Sequence, residues 1–538
     1  MTKKLRIAIA QLNLKVGDIT GNLQKHISAA THARDHLSAD VIIFPELSII
    51  GYPAEDLLLR PAFLEAADAG LNHLIKKING IHYLVGHPRA TPAGVQNTCS
   101  LIKDGIILGQ YAKQYLPNYG VFDERRYFIP GNKTCVVPIQ GVPVGLVICE
   151  DLWHPAPTRD AVQQGARIIL SPNASPFEMD KYHQRATILA TLAQQNHVAI
   201  IYANLIGGQD GVIFDGGSMV VNAAGLVCQT ADFFREHIFP VEIDITPKHT
   251  IIEKKALILP GFEESMYLAL VLGVRDYIEK NNFSNVVVGV SGGIDSALTL
   301  AVAVDALGKD RVTAVLMPSR YTADISMQDA KELIDNLQVK SDIISIEPVY
   351  QSFLETLAPF LKDKKTGITE ENIQARCRAV ILMALSNKFR QLVLTTGNRS
   401  ELAVGYCTLY GDMAGAYAVL KDVFKTEVYQ LALYRNKQQA VIPQRSIERA
   451  PTAELAFDQT DQDSLPPYPI LDEILRAYLN HSKSMDEIIA DGFARDMVVK
   501  VINMVHKNEY KRSQMPVGTR VNHQSFDKEW RYPLTNGF

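Results

Sequence analysis

The sequence predicts a two-domain α/β protein, and three observations carry that expectation. The chain has 538 residues, and single hydrophobic cores stop growing beyond roughly 250–300 residues. Short apolar runs alternate with helical stretches through both halves, which is the rhythm of layered α/β domains. That rhythm breaks once, between about Asp244 and Phe262, where Thr246-Pro247-Lys248-His249 and Leu259-Pro260-Gly261 gather turn-forming residues. The expected division is a first domain over 1–245, a linker over 246–262 and a second domain over 263–538.

In the first half, Leu5–Gln11 reads as a strand, Asn22–Leu37 as a helix and Val41–Phe44 as a buried strand ending at Pro45-Glu46. Further strand-like runs are Tyr83–Val85, Val144–Cys149, Ile168–Leu170 and Ala199–Tyr202, with turns expected at Gly86-His87-Pro88 and Gly141-Val142-Pro143. The second half opens with a helix over Glu263–Glu279, in which Leu268, Val271, Leu272 and Tyr277 share a face. Strands follow at Val286–Val290, Val312–Met317, Asp342–Ile346 and Leu392–Thr395, with a helix over Ala297–Leu307 and a long one over Glu370–Phe389. Strands separated by helices imply a doubly wound parallel sheet. No internal repeat or low-complexity tract interrupts either half.

Composition excludes several classes. Hydrophobic residues make up 47% and charged residues 21%, as in ordinary soluble globular proteins. A net charge of −4 gives no broad basic field, so neither nucleic acid nor an anionic membrane is an expected partner. The apolar stretch Ile7–Ala10 near the start is too short for a signal-peptide core, and no apolar run reaches membrane-span length. The six cysteines (Cys99, Cys135, Cys149, Cys228, Cys377 and Cys407) include no C-x-x-C pair. Reduced cysteines in the cytoplasm are the expectation.

Chemistry points first to Glu46, Lys113 and Cys149, each at or just past a strand end, where α/β domains build their sites. Opening an amide through a thiol needs a thiolate, a base to make it and a donor for the oxyanion. A cysteine at a strand-to-turn junction, a glutamate and a lysine supply those parts. Taken singly, each has a plainer reading: a cysteine ending a buried strand is usually a small core residue, and a lone glutamate or lysine is usually solvated. Together, Phe44-Pro45-Glu46, Lys113 with Leu116-Pro117, and Cys149-Glu150-Asp151 resemble the Glu–Lys–Cys site of the nitrilase superfamily. The resemblance implies an α-β-β-α sandwich, with Glu124 as a second glutamate supporting the lysine. It implies more narrowly the glutamine-using branch, in which Tyr119, Ser175 and Lys181 would bind glutamine.

In the second half, Gly289-Val290-Ser291-Gly292-Gly293-Ile294-Asp295-Ser296 runs from a strand into a helix. Glycines let backbone N–H groups face an anion, and the helix N-terminus adds partial positive charge. Ser291 and Ser296 can donate to phosphate, and Asp295 can hold a Mg²⁺ that bridges phosphates. The Gly-Lys-Ser/Thr ending of a Walker motif is missing. The loop resembles instead that of the ATP pyrophosphatases, which cleave ATP between the α- and β-phosphates and adenylate a substrate.

Thr395–Glu401, Gly411-Asp412, Lys421–Glu427, Pro451–Leu455 and Gln459–Asp461 follow in the order seen in NAD synthetases. With the nitrilase-like half in front, the whole chain resembles the glutamine-dependent NAD synthetases. That family's roles would fall on Thr396 and Lys421 for ATP, on Glu401 beside Asp295 at magnesium, and on Asn372, Arg376, Glu401 and Lys511 for nicotinic acid adenine dinucleotide. Plainer readings remain for Arg376, Lys421 and Lys511 as surface charges, and for Glu401 as a first-turn helix acid. The resemblance also implies a homo-oligomer. Two rivals stay open: an ATP-pyrophosphatase amidotransferase acting on another carboxylate, and a catalytically silent nucleotide sensor.

Overall fold

The structure, a computed structural model, describes residues 3–246, 250–361, 367–457 and 459–537. The chain divides into two units, Met1–Pro260 and Gly261–Phe538. Pro247, Lys248 and His249, within the expected linker, lie outside the described residues. Thr250–Ile252, within the same expected stretch, forms an edge strand paired antiparallel with Ile243–Ile245.

The first unit is an α-β-β-α sandwich. Its seven-stranded sheet runs in the order 250–252, 237–245, 3–11, 41–43, 82–91, 94–103 and 106–112. A six-stranded sheet runs 227–230, 219–221, 199–204, 168–173, 142–146 and 135–139. Strand alternation explains the layers. Leu5, Ile7, Ile9, Val41 and Ile43 join Val144, Leu146, Ile168 and Leu170 in the core between the sheets. Ala8, Ala10 and Ile42 point the other way, onto Ala29, Ala30 and Ala33 of the helix Ile19–Asp35. Alanines on both surfaces let helix and sheet approach closely.

Two local expectations are corrected. Gly86-His87-Pro88 is no turn but the middle of strand His82–Thr91, paired over its length with Gly94–Lys103. Gly86 is needed there because a Cβ would collide with the backbone of Leu47. The strand expected to run to Cys149 ends at Leu146. Cys149 instead opens a short 3₁₀ turn, Cys149–Trp153.

The second unit holds a five-stranded, all-parallel sheet in the order 340–343, 312–316, 285–289, 391–395 and 417–418. Val286, Val287 and Val288 are all buried, as befits a strand covered on both faces. The helix Ile294–Leu307 is buried nearly all round. Strand order reverses between 285–289 and 391–395, so the loops leaving those two strands open at the topological switch point, where doubly wound folds bind ligands. A helical layer follows, in which Val498, Val501, Ile502 and Val505 of helix Arg495–Lys507 pack with Leu471, Ile474 and Leu475.

Candidate functional site

In the first unit, Glu46, Lys113 and Glu124 form a buried cluster. Lys113 Nζ donates to Glu46 Oε1 at 2.6 Å and to Glu124 Oε1 at 2.8 Å. Asn97 Nδ2 also donates to Glu46 Oε1, at 2.7 Å, and the Tyr52 hydroxyl to Glu124 Oε1, at 2.9 Å. The other oxygen of Glu46 accepts from the Ala174 N–H at 3.1 Å. Burial alone would pull the Lys113 pKa down, but Glu124 and Glu46 push it well above its ordinary value, so the ammonium persists. Burial raises Glu124 to about 7 despite Lys113.

Cys149 is buried beside this cluster and has φ +43°, in the left-handed region that non-glycine residues seldom occupy. Such strain gathers at functional turns. Asp151 holds the turn in place: its Oδ2 accepts from the Ile148 N–H and the Tyr111 hydroxyl, and its Oδ1 from the N–H groups of Gln114 and Tyr115. One carboxylate thus ties the cysteine turn to the segment that follows Lys113. Burial raises the Cys149 thiol well above its usual pKa, Glu46 adds to the rise, and Lys113 and the Ala174 N–H oppose it. Burial thus favours the protonated sulfur, and Glu46 lies within electrostatic reach of it.

Two of the three expected glutamine residues, Tyr119 and Lys181, border the same turn. The Tyr119 hydroxyl donates to Glu150 Oε2 at 2.9 Å. Lys181 opens helix Lys181–Asn196, bonds Glu178 Oε1 at 2.9 Å and lies over the Trp153 ring at 4.9 Å. Ser175 is buried immediately after Ala174, its N–H donating to Asn204 Oδ1 at 2.9 Å.

In the second unit, the Ser291–Ser296 loop closes on itself. The Ser296 hydroxyl accepts from the Ser291 N–H at 3.2 Å and donates to the Gly293 carbonyl at 3.0 Å, while Ser291 Oγ accepts from the Gly293 N–H at 3.2 Å. Gly292 has φ +88°, and a Cβ there would strike the backbone of Ser326. Asp295 sits in the first turn of the helix and Thr396 directly after strand Gln391–Thr395, on either side of the switch point.

Asp295 and Glu401 converge on one cation. Lys425 Nζ bonds Asp295 Oδ2 and, at 3.2 Å, Glu401 Oε1, while Asn398 Nδ2 donates to Asp295 Oδ1 at 2.9 Å. Burial raises Glu401 to about 8 against the pull of Lys425, with Asp295 adding to the rise. Among the described residues no three His, Cys, Asp or Glu side chains form a preassembled metal cluster. Two carboxylates side by side nevertheless fit magnesium, which commonly takes one or two from the protein and the rest of its shell from phosphates and water. Lys425→Met should cost about 3 kcal/mol of stability without divalent cation, because two carboxylates lose their buried partner. Urea unfolding with and without magnesium measures this, and an unchanged midpoint would contradict it.

Lys421 does not join this group: its Nζ bonds Asp527 Oδ1 at 2.7 Å and the Pro516 carbonyl at 3.1 Å. Asn372, Arg376 and Lys511 converge on the segment that follows the Glu401 helix. Asn372 Oδ1 accepts from the Thr408 hydroxyl at 2.7 Å, Arg376 Nε donates to the Leu409 carbonyl at 3.2 Å, and Lys511 Nζ donates to the carbonyls of Gly405 and Cys407, both at 2.7 Å. Sequence reasoning missed Asn97, Tyr52, Asn398 and Lys425. Asn97 and Tyr52 carry no local signal. Asn398 and Lys425 lie inside motifs already singled out.

Residues 6–247 match the carbon-nitrogen hydrolase family and residues 266–515 the NAD synthase family. The chain is 47% identical to the glutamine-dependent NAD(+) synthetase of Xylella fastidiosa, with all of both proteins covered. It is 44% identical to that of Thermotoga maritima, covering all of this chain and 99% of the relative. A solved glutamine-dependent NAD(+) synthetase from Acinetobacter baumannii, in complex with ADP, superposes with a TM-score of 0.81 at 44% identity, covering 99% of each chain. With both family matches falling on the two units in order, and full-length relatives at this identity, the chain belongs to the glutamine-dependent NAD(+) synthetases.

Proposed function

We propose that the chain hydrolyses glutamine at Cys149 and uses the ammonia to amidate nicotinic acid adenine dinucleotide to NAD, with ATP cleaved to AMP and pyrophosphate. The observation that carries this reading is that one chain holds both halves of the chemistry: a thiol beside a buried Glu46–Lys113 pair, and a phosphate-type loop with Asp295 and Glu401 at a switch point.

Glu46 takes the proton of the Cys149 thiol as sulfur attacks the side-chain amide of glutamine, then returns it to the departing ammonia. Lys113, kept charged by its two carboxylates, and a backbone N–H of the turn after Cys149 stabilise the tetrahedral oxyanion. Glu124 holds Lys113 in place. Water, activated by the same Glu46, releases glutamate. Tyr119, Ser175 and Lys181 hold the amino-acid end of glutamine.

In the second unit, the N–H groups and hydroxyls of Ser291–Ser296 hold ATP phosphates, and Thr396 contacts the nucleotide. Magnesium, held by Asp295 and Glu401, would neutralise phosphate charge as pyrophosphate leaves. Lys425 adds a second positive charge there, a role that its contact with Asp295 favours over Lys421. Asn372, Arg376, Glu401 and Lys511 orient the dinucleotide so that its pyridine carboxylate reaches the α-phosphate. Ammonia then displaces AMP from the adenylate.

Offering the enzyme several pyridine and aliphatic carboxylates with ATP and ammonium tests the substrate. Pyrophosphate release with the deamido dinucleotide alone is expected, and equal release with an unrelated carboxylate would overturn the assignment. We further propose a cytoplasmic homo-oligomer. No helix among the described residues is long and apolar enough to cross a membrane. Light scattering should give a mass of at least two chains, and a single-chain mass at working concentration would contradict this.

A further inference from the structure

Arg185 is a buried cation that neither half of the proposed chemistry uses. It lies one turn into helix Lys181–Asn196 and is 2% exposed. Its Nη2 donates to both oxygens of Asp215, at 2.9 and 2.7 Å. Its Nε and Nη1 are buried with no hydrogen-bond partner among the described residues. Replacing a buried ion pair by apolar side chains is often neutral or stabilising, so stability is a weak reason to place a guanidinium here.

The partners of the pair lead to the thiol. Asp215 ends strand Val212–Asp215, and its Oδ1 also accepts from Asn204 Nδ2, at 3.5 Å. Asn204 grips the backbone of Ser175 from both sides. Its Oδ1 accepts the Ser175 N–H at 2.9 Å, and its Nδ2 donates to the Ser175 carbonyl at 3.3 Å. The preceding residue, Ala174, supplies the N–H that donates to Glu46 Oε2 and acts on the Cys149 sulfur. Tyr202 gives a second connection. Burial raises its phenol, Arg185 lowers it and Cys149 raises it, so the phenol lies within electrostatic reach of both. The guanidinium, Asp215, Asn204, the Ala174–Ser175 backbone and Glu46 therefore form one run of hydrogen bonds that ends beside the nucleophile.

We propose that Arg185 is a positioning residue for glutamine hydrolysis: through Asp215 and Asn204 it holds the Ala174–Ser175 backbone where the Ala174 N–H addresses Glu46 beside Cys149. A charge-assisted contact from Nη2 to both carboxylate oxygens is short and strong, and a helix is a firmer base than the loop it steadies. The inference rests on Cys149 being the nucleophile. It concerns the first unit only, so the synthetase half should not sense the substitution.

The test uses the full chain with Arg185→Gln and Arg185→Lys. For Arg185→Gln, glutamine-driven kcat should fall about 100-fold, the typical cost of misplacing a catalytic group by about an ångström. Ammonium-driven synthesis should stay at the parent level. The pH midpoint for iodoacetamide alkylation of Cys149 should rise, because the Ala174 N–H no longer favours the thiolate. Arg185→Lys keeps the charge and one donor nitrogen on a shorter, more flexible stem, and should restore about tenfold of that loss. A parent-like kcat and alkylation midpoint in Arg185→Gln would overturn the proposal. If Arg185→Gln does not fold, Arg185→Lys decides: parent-like glutamine turnover and alkylation there would show that the residue serves folding alone. Failure of the underlying reading would look different, because Cys149→Ala would then leave glutamine turnover intact with Arg185 unaltered.

Discussion

Cys149→Ala should lower glutamine-driven NAD synthesis by about 10³-fold or more, the usual cost of losing a covalent nucleophile, while ammonium-driven synthesis continues. The substitution removes one sulfur from a turn held mainly by other groups: Asp151 keeps its bonds to Ile148, Tyr111, Gln114 and Tyr115. The phosphate-type loop lies in the other unit of the chain, so its geometry should survive. Steady-state NAD formation with each nitrogen source measures both effects. Activity with ammonium but not glutamine supports the division of labour. Loss of both would make Cys149 a structural residue, and full glutamine activity would make another group the nucleophile.

Asp295→Asn should remove most synthesis with either nitrogen source, a fall on the order of 10² to 10³, because a charge that would face the metal and phosphates is gone. The amide is nearly isosteric, so Asn398 still finds an oxygen to address. Lys425, however, loses one of its two carboxylates and keeps only Glu401. Magnesium titrations of NAD formation check this. The expected result is a low rate that more magnesium recovers only partly. Turnover and magnesium dependence equal to the parent would remove Asp295 from the site. Glutamate release by the first unit need not change in parallel, so it serves as an internal control for folding.

The parts that could be read from sequence are those encoded in short stretches. Phe44-Pro45-Glu46 and Cys149-Glu150-Asp151 each pack a strand end and a chemical group into three residues, and Ser291–Ser296 carries strand, turn and helix start together. The parallel sheet of the second unit followed from strands separated by helices, and the structure has that sheet. Asn97 lies in an ordinary strand and meets Glu46 only because His82–Thr91 and Gly94–Lys103 pair in register. Arg185 carries no motif, and only the fold buries it against Asp215. Lys421 and Lys425 are four residues apart in one motif. Only the start of helix Lys425–Gln438 decides which ammonium reaches Asp295. Gly86-His87-Pro88 reads as a turn by composition, yet the long antiparallel pairing carries it as strand.

The most direct measurement gives the unaltered chain the deamido dinucleotide, magnesium, ATP and glutamine labelled with heavy nitrogen in its amide. NAD, AMP, pyrophosphate and glutamate are then followed together. The expected result is heavy nitrogen in the carboxamide of NAD, with equal amounts of NAD, AMP and pyrophosphate and at least as much glutamate. Glutamate release with no labelled NAD, or ATP split to ADP and phosphate, would contradict the reading of two linked chemistries in one chain.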